Sequence, residues 1–246
     1  MDKLIEYHPR INENQELFKT NKIILGSFPT WPLTRCEIND TATSLAKEAM
    51  RISSGDIQYF YGSANNRFWS WYKKYIDDDI DGKDIKSIET SLRKNKMDIT
   101  DTIFSCKRKG KSALDKDLSN RKYNHNFFHY PAINEKIKIL CTSKGVMNEM
   151  LLNKSFFNFH KDLKISTTLS EEFQNNIMQT LNCKCRNITR PIFRSLQVKN
   201  GGKIECLAIP SPGSPYRRLI DFGHADDNNN EFLQAYLSIA FSWFNS

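Results

Sequence analysis

Lys22-Ile23-Ile24-Leu25-Gly26-Ser27-Phe28-Pro29 is a short, β-branched run that stops at a glycine and opens into a proline turn. Its apolar residues are continuous rather than alternating, which predicts a strand buried on both faces, as in a parallel sheet. Three further runs read as strands of the same sheet: Met97 to Cys106, Lys136 to Thr142 and Ile204 to Ile209. Apolar spacing predicts helices over Thr41 to Met50, behind the cap candidates Asn39 and Asp40, and over Arg67 to Ile76, Asp84 to Lys94, Lys144 to Leu152 and Glu171 to Leu181. Strands separated by helices imply βαβ units. The expected fold is α/β, a three-layer α/β/α arrangement around a central, mainly parallel four-stranded sheet, with ligands bound beyond the carboxyl ends of the strands.

The segment Glu231 to Phe244 sets Phe232, Tyr236, Ile239 or Ala240, and Trp243 on one helical face, which reads as core packing, and Asp226 to Asn230 before it reads as a loop and cap. Phe193 to Val198 and Lys203 to Ile209 flank Asn200-Gly201-Gly202, the signature of a hairpin. The stretches Lys107 to Tyr130 and Asn153 to Asn200 break the pattern and read as insertions or long loops within a single domain of 246 residues.

Hydrophobic residues make up 39% of the chain and aromatics 12%, so a packed core is expected although the mean hydropathy is -0.58. A net charge of +8 and a pI near 9.1 favour a polyanionic partner such as nucleic acid, with a solvated basic surface as the plain alternative. No run of about 18 apolar residues is present, so no membrane partner is expected. With no apolar leader, the six cysteines Cys36, Cys106, Cys141, Cys183, Cys185 and Cys206 are read as reduced thiols of a cytoplasmic protein. Cys183 and Cys185 are too close for the usual zinc spacing, and neither a metal nor any other cofactor is expected.

The chemistry lies at the strand ends. Gly26-Ser27-Phe28-Pro29 follows the first strand, Asp98-Ile99-Thr100-Asp101 lies within the second, and Pro210-Ser211-Pro212-Gly213-Ser214-Pro215 follows the fourth. A fourth element, Tyr59-Phe60-Tyr61-Gly62-Ser63-Ala64-Asn65-Asn66-Arg67-Phe68-Trp69, puts aromatics and two amides where a loop enters a helix. Singly, each is ordinary: Gly-x-x-Pro is a turn, Asn66 a helix cap, Phe68 and Trp69 core. In this order they resemble the uracil-DNA glycosylase superfamily, which has a glycine–proline loop after its first strand and a proline–serine loop after its last. The resemblance is nearest to the hypoxanthine-type and mismatch-specific branches. It is carried by Asn66-Arg67-Phe68-Trp69 and by the run from Ile99 through Asp101 and Ser105-Cys106 to Ser112-Ala113-Leu114-Asp115, and it spans Lys22 to Leu152 and Ile204 to Arg218.

That resemblance implies a monofunctional DNA glycosylase that flips a base out of DNA and hydrolyses its bond to deoxyribose. Phe28 stands where mismatch-specific relatives have a water-positioning Asn and uracil-specific ones an Asp, and Ser211-Pro212-Gly213 lacks the latter's His. The catalytic expectation therefore passes to Asn66, the position matching the hypoxanthine-type Asn, with Asn65 as its fallback. An Asn side chain can orient water through its oxygen or hold a base edge through its nitrogen. Asp101 is the second catalytic candidate, facing the cationic sugar, assisting the water, or merely capping a turn. Gly26, Ser27, Phe28, Pro29, Tyr61, Asn65, Phe68 and Ser211 are the expected substrate-binding residues, with Phe28, Tyr61 and Phe68 able to stack on a base. Ser214, Tyr216, Arg217, Arg218, Lys107 and Arg108 are the expected DNA contacts, Tyr216 as the wedge into the duplex and the basic residues on phosphates, with Lys109 and Lys111 in the same run. No lysine occupies a motif position suited to a Schiff base. Deaminated bases are the first substrate expectation; excision of hypermodified bases of viral DNA and a non-catalytic DNA-binding module are the alternatives, and DNA is the expected partner of a monomer.

Overall fold

The computed structural model describes residues 5–11, 20–36, 52–112, 114–128, 136–152, 164–181, 192–197, 201–217, 219–222, 224 and 229–246. In chain order its strands are β1 (Ile5–Tyr7), β2 (Lys22–Gly26), β3 (Arg35–Cys36), β4 (Asp98–Asp101), β5 (Ile103–Arg108), β6 (Leu118–Tyr123), β7 (Lys136–Cys141), β8 (Lys164–Ser166), β9 (Phe193–Gln197) and β10 (Lys203–Ala208). The α-helices are α1 (Phe68–Tyr75), α2 (Ile85–Lys94), α3 (His125–Phe128), α4 (Lys144–Leu152), α5 (Thr167–Thr180) and α6 (Asn229–Asn245). The helix expected over Thr41 to Met50 lies outside the described residues, as do Arg218 and most of Asp226 to Asn230.

The main sheet has six strands rather than four, in the order β4-β2-β7-β10-β9-β8. The four strands expected from apolar runs form its contiguous parallel part, and β9 and β8 extend it antiparallel. Ile23, Ile24, Leu25, Leu140, Cys141, Cys206, Leu207 and Ala208 are all buried, the pattern of strands covered on both faces. The β9–β10 hairpin forms as expected, pairing Gln197 with Lys203, and Gly201 takes a positive φ of 93° that only glycine adopts without strain. Helix α4 packs on β7 and β10, α5 on β9, and α6 on β7 and α1. The buried stripe of α6 is Leu233, Tyr236, Leu237, Ala240, Phe241 and Phe244, one position round from the expected Phe232–Trp243 face. Tyr236 ties this helix down by donating to the Ala208 carbonyl (2.7 Å), and Lys138 donates to the Trp243 carbonyl at its negative end (2.7 Å).

The run Met97 to Cys106 is not one strand. It divides at Thr102 into β4, in the main sheet, and β5, in a second, antiparallel sheet of order β3-β1-β5-β6. Hydrogen bonds hold the bend: Thr102 N to Gly26 O (2.9 Å), Ile103 N to Ser27 O (3.0 Å), and Asn124 Nδ2 to Thr100 Oγ1 (2.8 Å) and Asp101 O (3.1 Å). Part of the expected insertion, Lys107 to Tyr130, is thus a hairpin strand of the second sheet, and part of Asn153 to Asn200 supplies β8, α5 and β9.

Arg108 is corrected by this packing. It is buried, donating to Glu6 Oε2 (2.8 Å), the Ser112 carbonyl (2.5 Å) and the Pro29 carbonyl (2.6 Å), so its guanidinium is spent inside the protein and does not reach a phosphate. Arg108→Ala strands the Glu6 carboxylate and is expected to cost about 3–5 kcal/mol in urea unfolding, against about 0.5 kcal/mol or less for the exposed Lys109→Ala. Equal, small losses would show that the Glu6–Arg108 pair does not hold the second sheet.

Candidate active site

Gly26 ends β2 directly opposite Asp101, the last residue of β4. A Cβ on Gly26 would overlap Asp101 Oδ1 and lie 2.5 Å from the Tyr61 hydroxyl, so the close approach of these three residues requires a glycine. Asp101 is 4% exposed. Its Oδ2 faces His8 Nε2 at 3.0 Å, while Oδ1 is buried with no hydrogen-bond partner among the described residues. His8, 3% exposed, accepts the backbone N–H groups of Arg10 (3.0 Å) and Ile11 (3.2 Å) on Nδ1. The hydrogen-bond pattern therefore assigns the proton of a neutral imidazole to Nε2, which donates to Asp101.

Tyr61 approaches from the aromatic loop with φ of 55°, a left-handed conformation uncommon for a bulky residue. Backbone bonds Ile57 N to Gly62 O (2.8 Å) and Gly62 N to Tyr59 O (3.1 Å) hold the loop, and a Cβ on Gly62 would overlap the Ile57 carbonyl. The Tyr61 hydroxyl is buried, with the Thr142 side chain as its hydrogen-bonding neighbour. Burial, reinforced by the Asp101 charge, pushes its pKa well above the usual phenol value, so the hydroxyl keeps its proton.

Ser27 donates to Asp115 Oδ1 at 2.9 Å. Burial raises the Asp115 pKa above its ordinary 3.8, the Ser27 hydrogen bond opposes the shift, and the carboxylates of Glu149 and Asp101 add to it. Phe28 leans on the small cluster of Ile103, Cys106 and Leu118, with the Arg108 guanidinium 5.6 Å from its ring centre, and Pro29 is held through its carbonyl by Arg108. The loop after β2 is therefore clamped along its length.

The other expected residues separate into groups. Asn66 Oδ1 accepts the N–H of Phe68 at 2.9 Å from one residue ahead of the cap position, which Arg67 takes, leaving its Nδ2 group without a partner among the described residues. Asn65 is exposed. Phe68 is fully buried against Tyr61, Trp69, Tyr72 and Phe241, which removes it from the residues able to stack on a base. Asn66 and Tyr61 line a cleft of about 370 Å³ with Ser63, Trp69 and Lys73, on which neither Gly26 nor Asp101 opens. Arg67 N donates to the Pro212 carbonyl (3.1 Å), joining the aromatic loop to the Ser-Pro loop. On that loop Ser211, Ser214 and Arg217 are exposed, and Tyr216 is 40% exposed with the Arg67 guanidinium 5.5 Å from its ring centre. Lys107 is half-buried on β5. Among the described residues, one acidic group, Asp77, Asp78 and Asp79, has metal-ligand spacing; Asp77 is already engaged by Ser91 (2.5 Å) and Lys94 (3.3 Å).

Local sequence patterns pass over His8, which meets Asp101 across 93 residues, and the Ser27–Asp115 bond, which spans 88. Neither has a short-range signal. Comparison of the chain with protein-family models, curated proteins and solved structures finds no match.

The raised Asp115 pKa has a signed consequence. The folded state holds this proton more tightly than the unfolded chain, so the group's contribution to stability is fully present below pH 3.8 and is lost as pH rises through the raised folded value. Asp115→Asn does not titrate. Its melting temperature relative to the parent should therefore climb between acid and neutral pH, and a difference that is flat or falls with pH would contradict the buried carboxyl described above.

Proposed function

We propose that the chain is a monofunctional DNA glycosylase of the uracil-DNA glycosylase superfamily, nearest its hypoxanthine-type and mismatch-specific branches. In this reading the fold is a three-layer α/β/α domain acting as a cytoplasmic monomer on DNA. The observation that carries it is the Asp101 carboxylate, buried at the carboxyl end of parallel strands with one oxygen held by His8 and the other unpartnered among the described residues. Breaking an N-glycosidic bond builds positive charge on the sugar and negative charge on the base. A fixed carboxylate stabilises the first without reorganising at the moment of reaction.

Asn66 lines a neighbouring cleft on which Asp101 does not open, with Tyr61 reaching both, and it suits the second. With its oxygen engaged by Phe68 N, the amide nitrogen is the atom left to hold a departing base, so of the two roles open to an Asn the base-holding one is favoured. Exposed Tyr216, with Arg67 beside it and Arg217 next in sequence, suits a surface that fills the gap left by a flipped nucleotide while the guanidiniums meet phosphates. None of these groups needs a metal ion to act, so turnover is expected to survive chelators.

The deciding assay is single-turnover excision on duplexes carrying hypoxanthine, uracil, xanthine or a hypermodified cytosine, read as abasic product. Tight binding with no product on every duplex would replace the enzyme reading with that of a DNA-binding module. Asn66→Asp keeps an oxygen for the Phe68 N–H and removes the amino group. It is expected to leave stability within about 0.5 kcal/mol while excision falls by about 10²–10³, the cost of one preorganised donor. Wild-type excision by Asn66→Asp would show that Asn66 only holds the Phe68 N–H. Affinity should fall steeply with salt, and Arg217→Ala should flatten the log–log slope by about 0.9; an unchanged slope takes Arg217 off the phosphates.

A further inference from the structure

A second cavity, of about 340 Å³, lies at the opposite end of β4 from Asp101, against Asp98 and Ile99. Four charged side chains line it. Asp98 Oδ2 accepts the N–H and the hydroxyl of Thr20 (2.9 and 2.7 Å), whereas Arg10, Glu89 and Arg93 form no ion pair among the described residues. Glu89 and Arg93 stand four residues apart on α2, the spacing at which a glutamate and an arginine ordinarily pair, yet both border the cavity unpaired. We propose that this cavity binds a phosphomonoester whose organic part carries hydroxyl groups, with the phosphate on Arg10, Arg93 and Tyr59 and the hydroxyls on Glu89. The proposal stands independently of the glycosylase reading.

Arg10 is held ready for an anion. Its Nε donates to the Gln58 carbonyl (2.9 Å) and its guanidinium carbon lies 5.0 Å from the Tyr59 ring centre, which fixes the planar fork and leaves its terminal nitrogens without a partner among the described residues. A guanidinium fixed in this way meets phosphate oxygens through two parallel hydrogen bonds and loses little freedom in doing so. Arg93, exposed in the last turn of α2, touches Thr90 Oγ1 of its own helix at 3.4 Å and brings a second positive charge. Two guanidiniums match the charge of about -1.5 to -2 that a phosphomonoester carries at neutral pH.

Tyr59 supplies a neutral donor between them. Its ring is wedged edge-on against Phe60 (5.4 Å between centres) and lies 6.0 Å from that of Trp69. Burial, reinforced by the Glu89 charge and opposed by Arg10 and Arg93, pushes its pKa up to about 12, so the hydroxyl keeps its proton. Glu89 decides the rest of the ligand. A carboxylate only accepts hydrogen bonds and repels a bare phosphate, so its place beside two arginines is accounted for by a ligand that brings hydroxyls, as acidic side chains hold ribose hydroxyls in nucleotide sites. Leu92, Met97 and Ile99 give the cavity an apolar wall, and its volume falls within the range of about 300–1,000 Å³ that small-molecule sites occupy.

The test is calorimetric titration of the full chain with inorganic phosphate, ribose 5-phosphate and adenosine monophosphate. Ribose 5-phosphate is expected to bind one to one with a Kd below about 1 mM. Arg93→Gln, at an exposed position, should weaken all three ligands about tenfold, and Arg10→Gln should do so at least as strongly. Glu89→Leu should weaken ribose 5-phosphate about tenfold and tighten inorganic phosphate, a reversal that damage to the fold does not produce. Adenosine monophosphate binding more tightly than ribose 5-phosphate makes the ligand a nucleotide, and binding no more tightly makes it a sugar phosphate. No saturable binding of either ester overturns the proposal. So does binding that Arg93→Gln leaves unchanged, or a Glu89→Leu variant in which ribose 5-phosphate and inorganic phosphate move in the same direction.

Discussion

At the end of β2 three parts of the chain come closer than any side chain on Gly26 would permit: the strand itself, the Asp101 carboxylate from β4, and the Tyr61 hydroxyl from the aromatic loop. Much else serves that approach. Parallel pairing of β2 with β4 brings Asp101 opposite Gly26, the tight Ile57–Gly62 loop delivers Tyr61, and His8 enters from the second sheet to hold the outer carboxylate oxygen. A buried carboxylate tolerates such surroundings best when its hydrogen bonds are arranged, and here one oxygen is held by His8 while the other has no partner among the described residues.

The site sits where one polypeptide run changes sheets. After Asp101 the chain leaves the parallel sheet, and the bonds of Thr102 and Ile103 to Gly26 and Ser27 make that departure the wall of the loop after β2. Arg108 at the far end of β5 reaches back to Pro29, so the same strand clamps both ends of the loop. Asp115 is tied to its own surroundings by Ser27 on one side and, through its backbone carbonyl, by Arg121 on the other, while Arg121 also pairs with Glu149. Two carboxyl groups, Asp101 and Asp115, thus border one loop in different environments, Asp101 held by His8 and Asp115 by Ser27.

Much of this organisation was legible from sequence, and the physical reason differs from element to element. Apolar-rich runs at Ile23–Leu25, Ile137–Cys141 and Ile204–Ala208, interrupted only by Lys138 and Glu205, declare buried strands, because apolar residues fall on both faces, and they lie together in the parallel part of the main sheet. The Asn200-Gly201-Gly202 turn declared the β9–β10 hairpin, since its positive φ narrows the choice of residue. The glycine–proline loop and the Asp101 strand end were also marked, being backbone features with local signatures.

Tertiary structure alone decided the rest. Met97 to Cys106 reads as one strand by pattern, yet it serves two sheets, and only the pairing partners reveal the break at Thr102. Arg108 looks like part of a basic surface run, but burial against Glu6 turns it into a clamp, whereas Lys109 beside it stays exposed. Phe68 is an aromatic at a loop–helix junction whose fate, base or core, depends on whether Phe241 lies over it. His8 carries no signal because its meaning depends on Asp101, 93 residues away. Sequence by itself determined which segments must hide from water, a property of each stretch; which side chains meet, and so which carboxylate oxygen is free, follows from contacts between distant residues that no local pattern encodes.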